Sequence, residues 1–207
     1  ALMISESNYY VVGASNDEIF QFSFTDYDPQ TSTYIGSASI SGQDGGHYGA
    51  FIRPNGSNIY TVGTNNDRIY QYTMSTPFAI SSLSYSTYFS ISSQESSPDA
   101  IYMNPKGNDV YILGSSGDEV VQYDLGTPWS ISTAVYNSKY FGYSAQSGTA
   151  SGLHFCNDGT KMFIVEETTD VVYQYNLSTA WEVLSASYSG NSFDITGDNS
   201  YCSEMKF

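Results

Sequence analysis

Four aspartates, Asp17, Asp67, Asp118 and Asp170, open four copies of one hexapeptide: Asp17-Glu18-Ile19-Phe20-Gln21-Phe22, Asp67-Arg68-Ile69-Tyr70-Gln71-Tyr72, Asp118-Glu119-Val120-Val121-Gln122-Tyr123 and Asp170-Val171-Val172-Tyr173-Gln174-Tyr175. A second polar column follows each copy, at Gln43, Gln94, Gln146 and, as a departure, Asp198. Placed on one face, the two columns form a ring of oxygen donors, which suits a hard cation. The competing reading is structural, because Asp in a hairpin commonly accepts local backbone N–H bonds. The loop spacing of a calcium site is missing, so neither a metal nor a cofactor is assigned. Gln21, Gln71, Gln122 and Gln174 lie inside strands, where an amide satisfies buried backbone groups between layers.

Nucleophile, zinc and phosphate signatures are absent: there is no Cys-x-x-Cys, His-Glu-x-x-His or Gly-x-Ser-x-Gly. His47 belongs to a linker and His154 to an inner strand, so the two histidines do not share a column. A hydrolase or lyase reading has only His154 and Glu204 as inner-strand candidates, and uniform repeats without catalytic irregularity read as non-enzymatic. Asn55-Gly56-Ser57 and Asn176-Leu177-Ser178 are acceptor triplets for glycosylation at Asn55 and Asn176.

The elements that must position these residues follow from the period. From Gln21 the steps to Gln71, Gln122 and Gln174 are 50, 51 and 52 residues, the spacing of a repeat architecture. In the second repeat a short strand ends at Arg53 and Pro54-Asn55-Gly56 turns the chain. Ile59-Tyr60-Thr61-Val62 is a β-branched and aromatic run, and Thr64-Asn65-Asn66-Asp67 turns into Ile69-Tyr70-Gln71-Tyr72. A fourth extended stretch runs from about Leu83 to Ile91. The second and third strands are apolar at successive positions, so both faces of each small sheet are buried, which a ring of stacked sheets satisfies. The expected fold is all-β: a β-propeller of four four-stranded blades, at approximately 1–48, 49–99, 100–150 and 151–202, in one domain.

Alignment of the termini sets Ser203, Glu204, Met205, Lys206 and Phe207 beside Tyr9 to Val12 as the closing inner strand of the first blade. Ala1, Leu2, Met3 and Ile4 then continue that line or are displaced. An inner strand split in this way is a candidate junction for strand addition between copies. Cys156 and Cys202 fall at opposite ends of inner strands and are expected to stay unpaired.

The net charge of −15, from 21 acidic against 6 basic residues without an acidic block, disfavours nucleic acid and anionic membranes as partners. No run of about 18 apolar residues is present, so no membrane insertion is expected. Twenty tyrosines with scarce Lys and Arg suit an extracellular or virion surface.

The columns of turn Gly, aromatic run, Asp followed by Ile/Val-Tyr-Gln-Tyr, then Ser75-Thr76-Pro77-Phe78 or Thr127-Pro128-Trp129 and a Gln-bearing linker resemble the blade repeats of WD40-like propellers. Such repeats occur in phage tail and other virion proteins and in secreted bacterial proteins. The resemblance covers essentially the whole chain and implies the fold; its members usually carry more than four repeats, so a complete four-bladed ring, one segment of a longer array and a ring completed by another copy are all open. The function expected is a structural or assembly module, a rigid building block that self-associates head-to-tail into a filament. The alternative is a multivalent, lectin-like propeller in which several equivalent blades bind glycans with avidity.

Overall fold

The computed structural model describes residues 7–13, 15–26 and 28–195, with the backbone of 2–4. Sixteen strands form four antiparallel sheets of four. The first blade comprises β1 (Leu2–Ile4), β2 (Asn8–Gly13), β3 (Glu18–Thr25) and β4 (Asp28–Ser39). The second comprises β5 (His47–Ile52), β6 (Asn58–Gly63), β7 (Arg68–Met74) and β8 (Leu83–Ser90). The third is β9 (Pro98–Met103), β10 (Asp109–Gly114), β11 (Glu119–Leu125) and β12 (Ala134–Gly142). The fourth is β13 (Ala150–Phe155), β14 (Lys161–Glu166), β15 (Val171–Leu177) and β16 (Ala186–Asp194). Within each blade the strands lie in chain order, the arrangement of a β-propeller.

Alternation along the middle strands decides where the core sits. In β6, Tyr60 and Val62 share a core with Val110, Ile112, Val121 and Tyr123 of the third blade, while Ile59 points the other way and joins Tyr10, Val12 and Ile19 of the first. Tyr111, Leu113 and Val120 likewise meet Met162, Ile164 and Tyr175 of the fourth. The three cores therefore lie between blades, with successive side chains serving opposite neighbours. Among the described residues no core cluster joins the fourth blade to the first.

Where Ser203 to Phe207 were expected, β1 is found: Leu2 pairs with Val11, Met3 with Tyr10 and Ile4 with Tyr9. A segment only a few residues from β2 closes a much smaller loop than one from the far end of the chain, and so loses less entropy on pairing. Ser203 to Phe207 lie outside the described residues, as do Ala1, Asp198 and Cys202.

Two local features went beyond the strand pattern. The links after the third strands of blades 2, 3 and 4 contain single 3-10 turns, at Ile80–Ser82, Ile131–Thr133 and Val183–Ser185. Just before each turn an aromatic residue takes a left-handed conformation: Phe78, Trp129 and Trp181 have φ of 62, 66 and 67°. Each ring lies flat on the turn glycine of its own blade. A Cβ on Gly159 would stand 2.3 Å from Trp181 Cε2, and one on Gly107 would stand 2.2 Å from Trp129 Cε2. Gly is required there twice over, for its φ of 71° and for the ring above it.

Candidate functional site

The hairpin aspartates owe their column to backbone geometry. Asp17, Asp67, Asp118 and Asp170 have φ of 48 to 51°, a region that Asp tolerates better than most residues. Their carbonyls accept the N–H of Ile40, Ile91, Tyr143 and Ile195, which anchors the end of each outer strand. Among the described residues no group of three His, Cys, Asp or Glu side chains is placed to hold a metal ion. The glutamine column serves the next blade: Tyr72 Oη donates to Gln43 at 3.5 Å and Tyr123 Oη to Gln94 at 3.3 Å. The Gln146 N–H donates to the Tyr143 carbonyl, and the buried Tyr175 hydroxyl, which stands in the column of Tyr72 and Tyr123, makes no hydrogen bond.

The carboxylates that do bind the hairpins are others. Asp44 is buried and accepts from Gly46 N, Asn66 N and Tyr70 Oη at 3.0 to 3.2 Å. Glu95 accepts from Ser97 N and Ser116 N at 2.7 and 3.2 Å. Each stands over a glycine: a Cβ on Gly63 would lie 2.4 Å from Asp44 Oδ2, and one on Gly114 would lie 2.3 Å from Glu95 Cδ. In the fourth blade the pair is exchanged, with Ser147 in the linker and Glu166 in the glycine column, and Glu166 accepts from Thr149 Oγ1 and from the N–H of Thr169. The signal was present as Gln43-Asp44 and Gln94-Glu95 facing Gly63 and Gly114. Nearby, burial first, then the charges of Glu95 and Glu167, push the Asp99 carboxyl up to about 6 against the hydrogen bonds of Ser115.

His47 is not in a linker: it begins β5, fully buried, with Nδ1 3.0 Å from Thr61 Oγ1. Burial lowers its pKa despite the nearby Asp44 charge. His154 is on inner strand β13, edge-on to Tyr102 at 5.3 Å. It lines a cavity of about 300 Å³ with Cys156, Asn157, Lys161 and Phe163. Glu204, the other inner-strand candidate, lies outside the described residues. The Cys156 thiol donates to Asp158 Oδ1 at 2.9 Å and accepts the Lys161 N–H at 3.1 Å. Asn55 is exposed in a turn, where its Oδ1 accepts both the N–H and the hydroxyl of Ser57; Asn176 is exposed on β15.

The most elaborate recurring geometry is a latch between blades. Tyr10, Tyr60 and Tyr111, all fully buried, donate their hydroxyls at 2.7 Å to the carbonyls of Phe78, Trp129 and Trp181 on the following blade. Gln21, Gln71 and Gln122 accept, at 2.9 to 3.1 Å, the first N–H of the 3-10 turn of the following blade, at Ile80, Ile131 and Val183. The strained aromatic thus aims its carbonyl, and the amide two residues on, at two side chains of its neighbour. Burial pushes the Tyr10 hydroxyl up to about 12, so it remains a donor across ordinary pH. Lys139 bridges Asp124 and Glu182 at 3.1 and 3.0 Å beside the last latch.

The latch stops at both ends of the array. Gln174 is half-buried and its amide turns to Asn176 Oδ1 at 3.3 Å. Val172, in the column of the sealed Ile69 and Val120, is also half-buried. On the first blade, Tyr9, Val11, Phe20 and Phe22 face away from the second blade and are half-buried. The column-mates of Tyr9, Val11 and Phe22 on the second and third blades, among them Ile59, Ile112 and Tyr123, are sealed. Tyr9 stacks on Phe22 with centroids 4.9 Å apart.

No family model matches the sequence, and no curated protein matches it. Solved structures do. A Bacteroides uniformis protein described as a "putative 6-phosphogluconolactonase" superposes with a TM-score of 0.62 at 11% identity, over 91% of this chain and 55% of its own. The Cps50 (Swd1) β-propeller domain of Myceliophteria thermophila gives 0.58 at 12%, over 92% and 56%. Chaetomium thermophilum Sqt1, bound to the N-terminus of ribosomal protein L10, gives 0.55 at 14%, over 97% and 49%. The expectation of a non-enzymatic chain does not stand, because proteins described as enzymes share this arrangement of blades. Regular repeats follow from the packing of blades and say nothing against catalysis. At these identities the likeness shows the fold alone. The chain spans about half the length of the structures it resembles, and its fold is a WD40-like β-propeller.

Proposed function

We propose that this chain is an assembly module, a propeller scaffold whose task is contact with other macromolecules. One observation carries the reading. The outer strands β4, β8, β12 and β16 each have one unpaired edge, and together they carry three charged side chains, Asp28, Lys139 and Asp194. Edge strands of monomeric proteins are commonly blunted by charge or proline. Here the rim instead presents Tyr34, Ile35, Tyr85, Tyr88, Val135, Tyr140, Tyr188 and Phe193, 39 to 66% exposed. Tyrosine supplies large contact area at small entropic cost and is enriched in interfaces. The similar Sqt1, captured with a protein segment, supports protein contact as a use of this architecture. The tyrosine-rich, sparsely charged rim suits an extracellular or virion setting.

Negative-stain microscopy of the purified chain at neutral pH tests the reading. Regular assemblies are expected, and they should disperse when Tyr88 and Phe193 are replaced by Lys. Isolated particles at every concentration would contradict self-assembly.

A further inference from the structure

We propose that the free edge of β8, the outer strand of the second blade, is a strand-addition site for a second copy of this chain, the two edges pairing antiparallel about a two-fold axis. The inference rests on the assembly reading and names its partner and its junction.

The four outer edges are not alike. β4 opens with Asp28 and Pro29. β12 carries Lys139 beside Ser138, whose φ is 59°, and Asn137 and Ser138 leave the ladder with β11. β16 ends in Asp194, and its register with β15 shifts around Gly190, whose φ is 82°. Charge, proline and bulges are the devices that keep sheet edges from pairing with other chains. β8 has no charged residue, no proline and no residue of positive φ, and its sheet partner is β7 alone. Its departure from regularity is one extra residue, Ser86, between Thr87 opposite Gln71 and Tyr85 opposite Tyr72.

That extra residue makes the edge self-complementary. Tyr70 and Tyr72 lie two apart on β7 and face the same core. Their cross-strand partners, Tyr88 and Tyr85, therefore share a face although three positions separate them. The rings remain 46 and 44% exposed. With a two-fold axis between Ser86 and Thr87, Tyr85 of one copy lies opposite Tyr88 of the other, and the reverse, on one side of a sheet continuous across both copies. Aromatic cross-strand pairs of this kind stabilise antiparallel strands. The Arg68 guanidinium lies 4.0 Å from the Tyr88 ring centroid and holds that ring in place, which lowers the entropic cost of pairing.

Charge favours a second copy as the occupant. At a net charge of −15 two copies repel over most of their surface and approach best where charge is missing. β8 lies within the longest uncharged run of the chain, from Ile69 to Gln94. A strongly basic partner finds no carboxylate on this strand. Two neutral, matching edges meet there without opposing charges, and an isologous contact of this kind closes as a pair.

Light scattering coupled to size exclusion on the 207-residue chain tests this. The mass is expected to rise with concentration from 22.7 kDa to twice that value. It should do so at lower concentration in about 1 M than in about 0.1 M salt, because screening relieves the repulsion. Ser86 is exposed and stands beside the axis, where it meets its own counterpart. Ser86→Lys and Ser86→Glu are therefore each expected to hold the chain at monomer mass up to about 100 µM, with circular dichroism unchanged. An equimolar mixture of the two should recover the doubled mass. A mixture that stays monomeric while both variants are folded would overturn the two-fold pairing, as would salt that disperses the parent dimer. Association that both variants retain and Phe193→Lys abolishes would overturn the β8 edge and leave the assembly reading intact. A monomer at every concentration and salt would overturn both.

Discussion

The junction between blades 2 and 3 and the outward faces of blades 1 and 4 are built from the same columns and end in opposite states. At the junction Tyr60, Ile69 and Tyr123 are sealed and Gln71 is latched to Ile131. At the ends, Phe22, Val172 and Gln174 are half-buried, and Gln174 turns to a neighbour on its own strand. At these positions burial follows the presence of the next blade, although Val165, in the column of Val62 and Leu113, is buried on the outward face of blade 4. A propeller blade is apolar on both faces and cannot bury itself alone.

Truncation separates the two regions most strongly. Tyr111→Ala removes a sealed ring and leaves the Trp181 carbonyl unmatched, and is expected to cost about 3–5 kcal/mol in denaturant melts. Tyr9→Ala, at a half-buried end position, is expected to cost about 1 kcal/mol in the chain at low concentration. Equal costs would break the comparison.

The amide column sharpens it at smaller scale. Gln122→Ala orphans the buried Val183 N–H and should destabilise by about 1–3 kcal/mol. Gln174→Ala, whose amide bonds only an exposed asparagine, should stay within about 0.5 kcal/mol of the parent. A Gln174 effect as large as that of Gln122 would show that the fourth blade is already capped in solution.

Much of this was legible beforehand. The period, the four strands of each blade and the bridging role of the in-strand glutamines all follow from residue type and spacing, because β-branched and aromatic runs between Gly and Asn turns have few other uses. The latch aromatics were visible as Pro77-Phe78, Pro128-Trp129 and Ala180-Trp181, but their left-handed backbone was not, since bulky residues rarely take it and a single 3-10 turn has no periodicity to detect. The exchange of Asp44 and Glu95 for Glu166 was hidden because the carboxylate reaches one place from two different columns. Sequence also reveals which side chains face a neighbouring blade without revealing whether that blade is present. The strand starts at His47, directly after the Gly45-Gly46 break, a few residues before the expected start at Ala50, because Gly49 also punctuates the stretch. The inference against catalysis took regularity for inactivity, and the similar fold of proteins described as lactonases removes it.

Hydroxyl-radical footprinting tests the central claim most directly, because it reads both regions in one sample. Tyr9 and Phe22, half-buried, should be oxidised while the sealed Tyr60 and Tyr111 stay protected. Equal protection of all four rings, or oxidation of Tyr60 and Tyr111 as fast as that of Tyr9 and Phe22, would contradict the account.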